Sequence, residues 1–328
     1  MECRFAKVKA ILTPSRAAPR GRTDIKETVL HIGRSEHPMA DDMLAIRLAT
    51  EEPATTIHDQ RQSPLFSTIP PELRLIIFQN ALLAFYDKSR PFPPDAYYYR
   101  PDFLYHDKID TTLLLTCRQI YLETYLLPIS LNDHVFWCER GPYPDVPHFF
   151  FDRLLPQQIS SIGRVHLFTQ LWWLENGDFE RLAGSPNFRP RSLHITVRHT
   201  DWWWWEENNP LALDRGWTQF LKDIEGLEEL ILEMETIDRD KDQIYAIAED
   251  IGKTMKLCGE RNLECSGALV KAQWMGPSSY RDDDWTFTFD KEAGSWIEST
   301  TPDEDELVPH QAPMLYQRVK LRWDTTRQ

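Results

Sequence analysis

The chain has 328 residues, of which 41% are hydrophobic and 27% charged, enough for one large domain or two ordinary ones with a sizeable core. Its formal net charge of −14 argues against binding to nucleic acid or to an anionic membrane surface, because both need clustered Lys and Arg. No apolar run approaches the ~20 residues that span a bilayer. The five Cys are irregularly spaced and form no Cys-x-x-Cys pair, which indicates a reducing compartment, so we expect the protein in the cytoplasm, the nucleus or both.

Residues 1–62 are predicted to be a disordered leader. Pro residues interrupt this stretch and polar residues dominate it, so it cannot bury enough apolar surface to offset the entropy of ordering. We therefore expect that it can be removed without loss of the fold. Residues 1–22 carry six Lys or Arg against one acid, which leaves a mitochondrial transit peptide as an alternative.

A helix is predicted to begin at the first proline pair after the leader. Proline suits the first helical turn, where no amide donor is needed. Apolar residues then follow at the i, i+3 and i+4 spacing of one helical face. Residues 69–78 are predicted to supply buried contacts, either to a partner or to the chain's own second helix. The candidate partner-binding residues are Pro70, Pro71, Leu73, Ile76 and Ile77.

The second helix is predicted to follow a long loop. Residues 87–108 are rich in Pro, Tyr and Asp, which is typical of a loop. Asp110 is a candidate N-cap for a helix over roughly 111–127, which Pro128 is expected to end. A strand is predicted at 134–138.

From about residue 140 onward, short apolar strands alternate with helical stretches. This alternation predicts parallel strands joined by right-handed crossovers, and it also fits an irregular leucine-rich-repeat-like stack. We therefore predict an α/β (mixed α+β) fold. The predicted strands cover residues 163–168, 192–198, 228–234, 285–289 and 315–323, the last of them returning to the sheet. The predicted helices cover residues 213–224 and 243–259.

Three motifs together resemble the F-box-like proteins that are abundant in filamentous fungi. They are Ile69-Pro-Pro-Glu-Leu-Arg-Leu-Ile-Ile-Phe78, Leu113-Leu-Leu-Thr-Cys-Arg-Gln-Ile-Tyr121 and Asn132-Asp-His-Val-Phe136. The resemblance covers residues 65–138 and implies docking onto the Skp-type adaptor of a cullin–RING ubiquitin ligase. We therefore predict three parts: the leader at 1–62, an F-box-like helical module at 63–140, and an α/β recognition region at 141–328.

Two groups of tryptophans follow neighbouring predicted strands. Four consecutive tryptophans cannot all face a core, so they either mark a partner surface or plug the end of the sheet. Parallel strands would bring both groups to one edge of the sheet, where open α/β sheets bind ligands. A rim of His199, Glu206 and Glu207 would favour a basic or amphipathic peptide. The candidate recognition residues are Trp172, Trp173, Trp202, Trp203, Trp204 and Trp205.

No catalytic or cofactor motif recommends an enzyme. The sequence has no nucleophile elbow, phosphate-binding loop or dinucleotide fingerprint, and no Cys or His spacing typical of a metal site. We therefore predict a non-enzymatic interaction adaptor without cofactor or metal. The resemblance to F-box-like proteins implies that it serves as substrate receptor of a cullin–RING ubiquitin ligase. The expected partners are a Skp-type adaptor and an unidentified protein substrate. A stand-alone interaction protein with a single core and an unrecognised enzyme are the alternatives.

Overall fold

A computed structural model describes residues 60–94, 96–138, 140–142, 147–207, 209–255, 257–258, 262–266, 268–279, 287–290, 295–298 and 313–325. Residues 1–59 of the predicted leader lie outside these ranges. The described chain is mixed α+β, as predicted. None of its described helices has both the length and the apolar character to cross a membrane. Its contacts divide it into two compact units, one of residues 60–85 and 107–131 and one of residues 86–106 and 132–325.

The first unit is helical. Pro71 is the first residue of its longest helix and Pro70 is the N-cap, so the proline pair begins the helix as predicted. The helices of this unit are α1 (Pro64–Ser67), α2 (Pro71–Ala81), a 3₁₀ helix (Thr111–Leu115), α3 (Arg118–Thr124) and α4 (Leu127–Leu131).

The prediction of one continuous helix over 111–127 is wrong. Asp110 does cap the first turn, since its carboxylate accepts a hydrogen bond from the Thr112 amide at 2.9 Å. Cys117 then adopts an extended backbone, with φ −154° and ψ 160°, and separates the 3₁₀ helix from α3. Pro128 does not end a helix but lies within the first turn of α4, where a missing amide donor costs nothing.

Residues 87–108, predicted to be a loop, contain two strands instead. Strands β1 (Phe85–Pro91) and β2 (Tyr105–Lys108) form a two-stranded sheet. The Phe92 amide extends the pairing by donating to the Leu104 carbonyl at 2.9 Å. Most of β1 is exposed, so it lacks the alternation of polar and apolar residues from which a strand is predicted.

The second unit contains an eight-stranded mixed sheet. Its strands are β3 (Asp133–Cys138), β4 (Arg164–Thr169), β5 (Ser192–Val197), β6 (Glu229–Ile237), β7 (Leu257–Cys258), β8 (Asn262–Cys265), β9 (Val270–Gly276) and β12 (Met314–Thr325). Their order is β3-β4-β5-β6-β12-β8-β7, and β9 also pairs with β12. The strands predicted to be parallel, β4, β5 and β6, are parallel neighbours, and β3 joins them in parallel beside β4. Strand β12 returns to the sheet, as predicted, and pairs antiparallel with β6. Strands β10 (Phe287–Asp290) and β11 (Ser295–Glu298) form a separate antiparallel pair.

Short helices connect the strands of this unit. The predicted helix at 213–224 is a 3₁₀ helix at Gly216–Asp223. The one predicted at 243–259 ends at Thr254, because Met255 turns extended with ψ 111° and the chain enters β7. The α-helices are α5 (Pro147–Phe151), α6 (Pro156–Ser161), α7 (Leu171–Glu175), α8 (Asp178–Ala183) and α9 (Lys241–Thr254); further 3₁₀ turns cover His199–Asp201, Trp205–Glu207 and Asp238–Asp240.

The large sheet has one apolar face and one polar face, because side chains alternate along each strand. The apolar face includes Leu167, Ile195, Leu232 and Leu321, all of which are buried. The polar face carries His166, His194, Glu233 and Lys320. The finer expectations, an F-box-like module over 63–140 and a leucine-rich-repeat-like region after it, stay predictions.

Candidate functional site

Helix α2 directs its apolar residues outward. Leu73, Ile76 and Ile77 are 53%, 52% and 45% exposed, whereas Arg74 and Phe78 are the buried residues of the helix. This inverts the usual order, in which Leu and Ile lie inside and Arg outside. The alternative that these three residues are buried against the chain's own second helix is therefore wrong, and their contact with a partner stays a prediction.

Arg74 fixes the rotation of α2. Its Nη1 donates to the Ile69 carbonyl at 3.0 Å, and its Nη2 donates to the Glu123 carboxylate of α3 at 3.3 Å. The guanidinium also lies 5.1 Å from the centroid of the Phe66 ring. Since Arg74 and Phe78, one turn later, both face inward, the residues on the opposite side of the helix must face out.

The outward residues form one apolar surface along α2. Pro70 and Pro71 are exposed at its start, and Leu83 is 44% exposed just beyond its end. Exposed apolar residues grouped in this way mark interaction sites, whereas single ones do not. We call the set Pro70, Pro71, Leu73, Ile76 and Ile77 the α2 surface.

The two tryptophan groups lie at the same edge of the sheet. Strands β4 and β5 are parallel neighbours, and each group follows the carboxyl end of one of them. The indole Nε1 of Trp203 donates to Glu175 Oε2 of α7 at 2.6 Å, which joins the two groups. Trp173 is buried, and Trp172 is half-buried with its indole donating to Gln170 Oε1 at 2.8 Å.

The four consecutive tryptophans divide into a buried outer pair and an exposed inner pair. Trp202 and Trp205 are 3% and 4% exposed, against 38% for Trp203 and 45% for Trp204. The Trp202 indole donates to the Glu235 carbonyl at 2.8 Å, which anchors the start of the run to β6. Sequence alone predicts that some of the four are exposed, and the structure identifies which. We call Trp203, Trp204 and Glu175 the tryptophan edge.

His199 does not belong to the rim of this surface, so that prediction is wrong. Only 2% of the residue is exposed, and its ring packs against Trp205 with centroids 5.4 Å apart. Burial lowers its pKa to about 3, with a smaller contribution from Arg239. Glu206 is partly exposed and lies 4.0 Å from Arg140. The side chain of Glu207 lies outside the described part of the chain.

The polar face of the sheet carries a buried ion cluster that the sequence analysis did not predict. Arg100, from the segment between β1 and β2, contacts Glu233 at 2.5 Å and Glu235 at 3.4 Å. Lys320 of β12 contacts the second oxygen of Glu233 at 2.9 Å. The alternation of Glu233 and Glu235 with apolar residues in β6 is the signal that could have revealed it.

The cations around Glu233 keep it ionised. Burial alone would raise its pKa, but the hydrogen bond from His194 and the charges of Arg100 and Lys320 together hold the pKa well below its usual range. The cluster is thus a set of paired charges, and it fixes Arg100 and its segment to the sheet.

A small cavity of about 30 Å³ lies beside the carboxyl ends of β5 and β6. By this measure it has room for about two water molecules. Arg198, which lines it, is already paired with both oxygens of Asp201, at 2.6 and 2.9 Å. Within the described ranges, no three His, Cys, Asp or Glu residues are grouped so that they could hold a metal ion.

No protein-family model matches this chain, and no characterised protein or solved structure is detectably similar to it. The resemblance to F-box-like proteins therefore stays a prediction, and the function has to be inferred from the two surfaces themselves.

Proposed function

We propose that this protein is a non-enzymatic interaction adaptor. Its α2 surface docks onto a Skp-type adaptor of a cullin–RING ubiquitin ligase, and the tryptophan edge receives a protein substrate. The observation that carries the proposal is the inverted helix, in which Arg74 is buried and Leu73, Ile76 and Ile77 are exposed.

The spacing of the exposed residues suits a helix-in-groove interaction. Anchors at i, i+3 and i+4 line one side of a helix and enter an apolar groove together. Burying a whole Leu or Ile side chain contributes about 1.5–3 kcal/mol, so three half-exposed ones supply several kcal/mol in favour of binding. That gain is large enough to matter against the cost of association.

The inward residues support the same proposal. Arg74 and Glu123 hold the α2 surface in a fixed orientation before any partner arrives. A surface ordered in advance loses little conformational entropy on binding, so more of the apolar gain appears as affinity. This partly buried ion pair, in which the Glu123 side chain is 32% exposed, thus supports a binding role for the outward side of the helix.

Titration of the full-length protein with a purified Skp-type adaptor tests this function. We expect Ile76→Asp to weaken binding by more than about 100-fold, because the complex would bury an unpaired carboxylate. Phe149→Asp is the matched control, since Phe149 is 57% exposed on the other unit, and it should bind like the wild type. No binding by the wild type, or equal binding by Ile76→Asp, would refute adaptor docking.

A further inference from the structure

The run from Trp202 to Trp205 is held at both ends and presents its two middle residues. Trp202 is fixed to β6 by its hydrogen bond to the Glu235 carbonyl, and Trp205 is buried against His199 and Tyr97, with ring centroids 5.4 and 6.4 Å away. Trp203 and Trp204 therefore project from a loop that is fixed at both ends, so they should lose little conformational entropy when they bind a partner.

Trp204 has a backbone conformation that a bulky residue rarely adopts. Its φ is +54°, in the left-handed region that favours glycine. Its side chain is 45% exposed, so core packing does not account for the residue type at this position. Strained residues of this kind are concentrated at binding sites, where the surrounding structure holds them in place.

The surroundings of the exposed pair are mainly acidic. Glu175 accepts hydrogen bonds from the Trp203 indole at 2.6 Å and from the Asp214 amide at 2.9 Å, which brings a second, exposed carboxylate near. Glu206 follows two residues after Trp204, with Arg140 as its cation at 4.0 Å. The rings of Trp203 and Trp204 lie beside each other, with centroids 6.3 Å apart.

We infer that the tryptophan edge binds a peptide segment bearing lysine or arginine. A cation stacks favourably on the face of an indole, and the neighbouring carboxylates attract the same charge. Nucleic acid is disfavoured, because its phosphates would meet the carboxylates of Glu175, Asp214 and Glu206. This inference rests on the proposed function, since it names the class of substrate that the recognition surface would take.

A synthetic Lys/Gly peptide and its Glu/Gly counterpart of equal length test the inference by fluorescence anisotropy on the full-length protein. We expect the Lys/Gly peptide to bind and the Glu/Gly peptide not to bind. Trp203→Ala, Trp204→Gly and Glu175→Gln should each weaken binding on the order of tenfold. Phe149→Ala, which also removes an exposed aromatic ring, should have no effect.

The urea midpoint of Trp204→Gly separates binding from packing. Glycine tolerates the positive φ, so the midpoint should stay the same or rise while peptide affinity falls. A lower midpoint, unchanged affinity in the tryptophan variants, or equal binding of both peptides would overturn the inference. Ile76→Asp should bind the Lys/Gly peptide normally. If the protein binds the Skp-type adaptor but not the Lys/Gly peptide, this inference alone is refuted. If it binds the peptide but not the adaptor, only adaptor docking is refuted.

Discussion

At the scale of single residues, burial decides the protonation of His199 and His166. His199 is 2% exposed with a pKa lowered to about 3, and burial also lowers the pKa of His166 well below its usual value. The sequence shows a His beside a strand but not its burial, which depends on later segments: Tyr316 of β12 lies 6.2 Å from the His199 ring. The placement of His199 on an exposed rim failed for this reason.

We predict that acid destabilises the protein partly through His199. In the unfolded chain this residue takes up a proton below about pH 6.5, whereas in the folded protein it stays neutral down to about pH 3. Stability therefore falls as the pH falls through this window, and at pH 5 the contribution is about 2 kcal/mol. Urea unfolding at pH 7 and pH 5 gives the loss of unfolding free energy between these two pH values. In His199→Asn this loss should be smaller than in the wild type by about this amount. An unchanged difference would contradict the assigned protonation.

At the scale of elements, hydrophobic periodicity located six of the twelve described strands, β3, β4, β5, β6, β10 and β12, and predicted that β4, β5 and β6 are parallel. The strands predicted at 163–168, 192–198 and 228–234 are present as β4, β5 and β6, because their apolar residues are buried. The rotation of α2 could not be predicted, since periodicity defines an apolar stripe without saying which way it faces. Here a buried Arg74 sets the rotation, and sequence reasoning places arginine outside by default.

We expect two residues of α2 to differ sharply in their effect on folding. Phe78→Ala should lower the free energy of unfolding by about 3–5 kcal/mol, because Phe78 is 1% exposed. Ile76→Asp should lower it by no more than about 0.5 kcal/mol, as is usual for a surface position. Chemical denaturation of both variants provides the comparison. A loss of several kcal/mol in Ile76→Asp would place Ile76 in the core.

The segment carrying Arg100 should depend on its buried ion pairs. Arg100→Met would leave Glu233 and Glu235 buried without their central cation, so we predict a loss of about 3–5 kcal/mol in unfolding free energy. The matched change Arg322→Met removes the ion pairs of Arg322 with Glu229 and Asp324. The Arg322 side chain is 56% exposed, so this change should cost no more than about 1 kcal/mol. If Arg100→Met and Arg322→Met lower the free energy of unfolding in urea equally, the ion cluster does not anchor the segment that carries Arg100.

At the scale of the whole molecule, the two units carry surfaces of different chemistry. The first unit exposes the apolar α2 surface, and the second exposes two tryptophans beside carboxylates. The net charge of −14 is consistent with a protein that meets other proteins rather than nucleic acid. In the proposed function, the apolar surface would contact the Skp-type adaptor, and the acidic, aromatic surface would contact the substrate.

Hydrogen–deuterium exchange of the full-length protein, with and without a saturating Skp-type adaptor, tests the central claim most directly. Docking of α2 into a groove should slow amide exchange across residues 71–83, because local opening of the helix would require dissociation. Exchange in β4 and β5 should not change, since these strands lie in the second unit. Unchanged exchange across 71–83 would contradict the claim that the outward apolar residues of this helix form the docking surface.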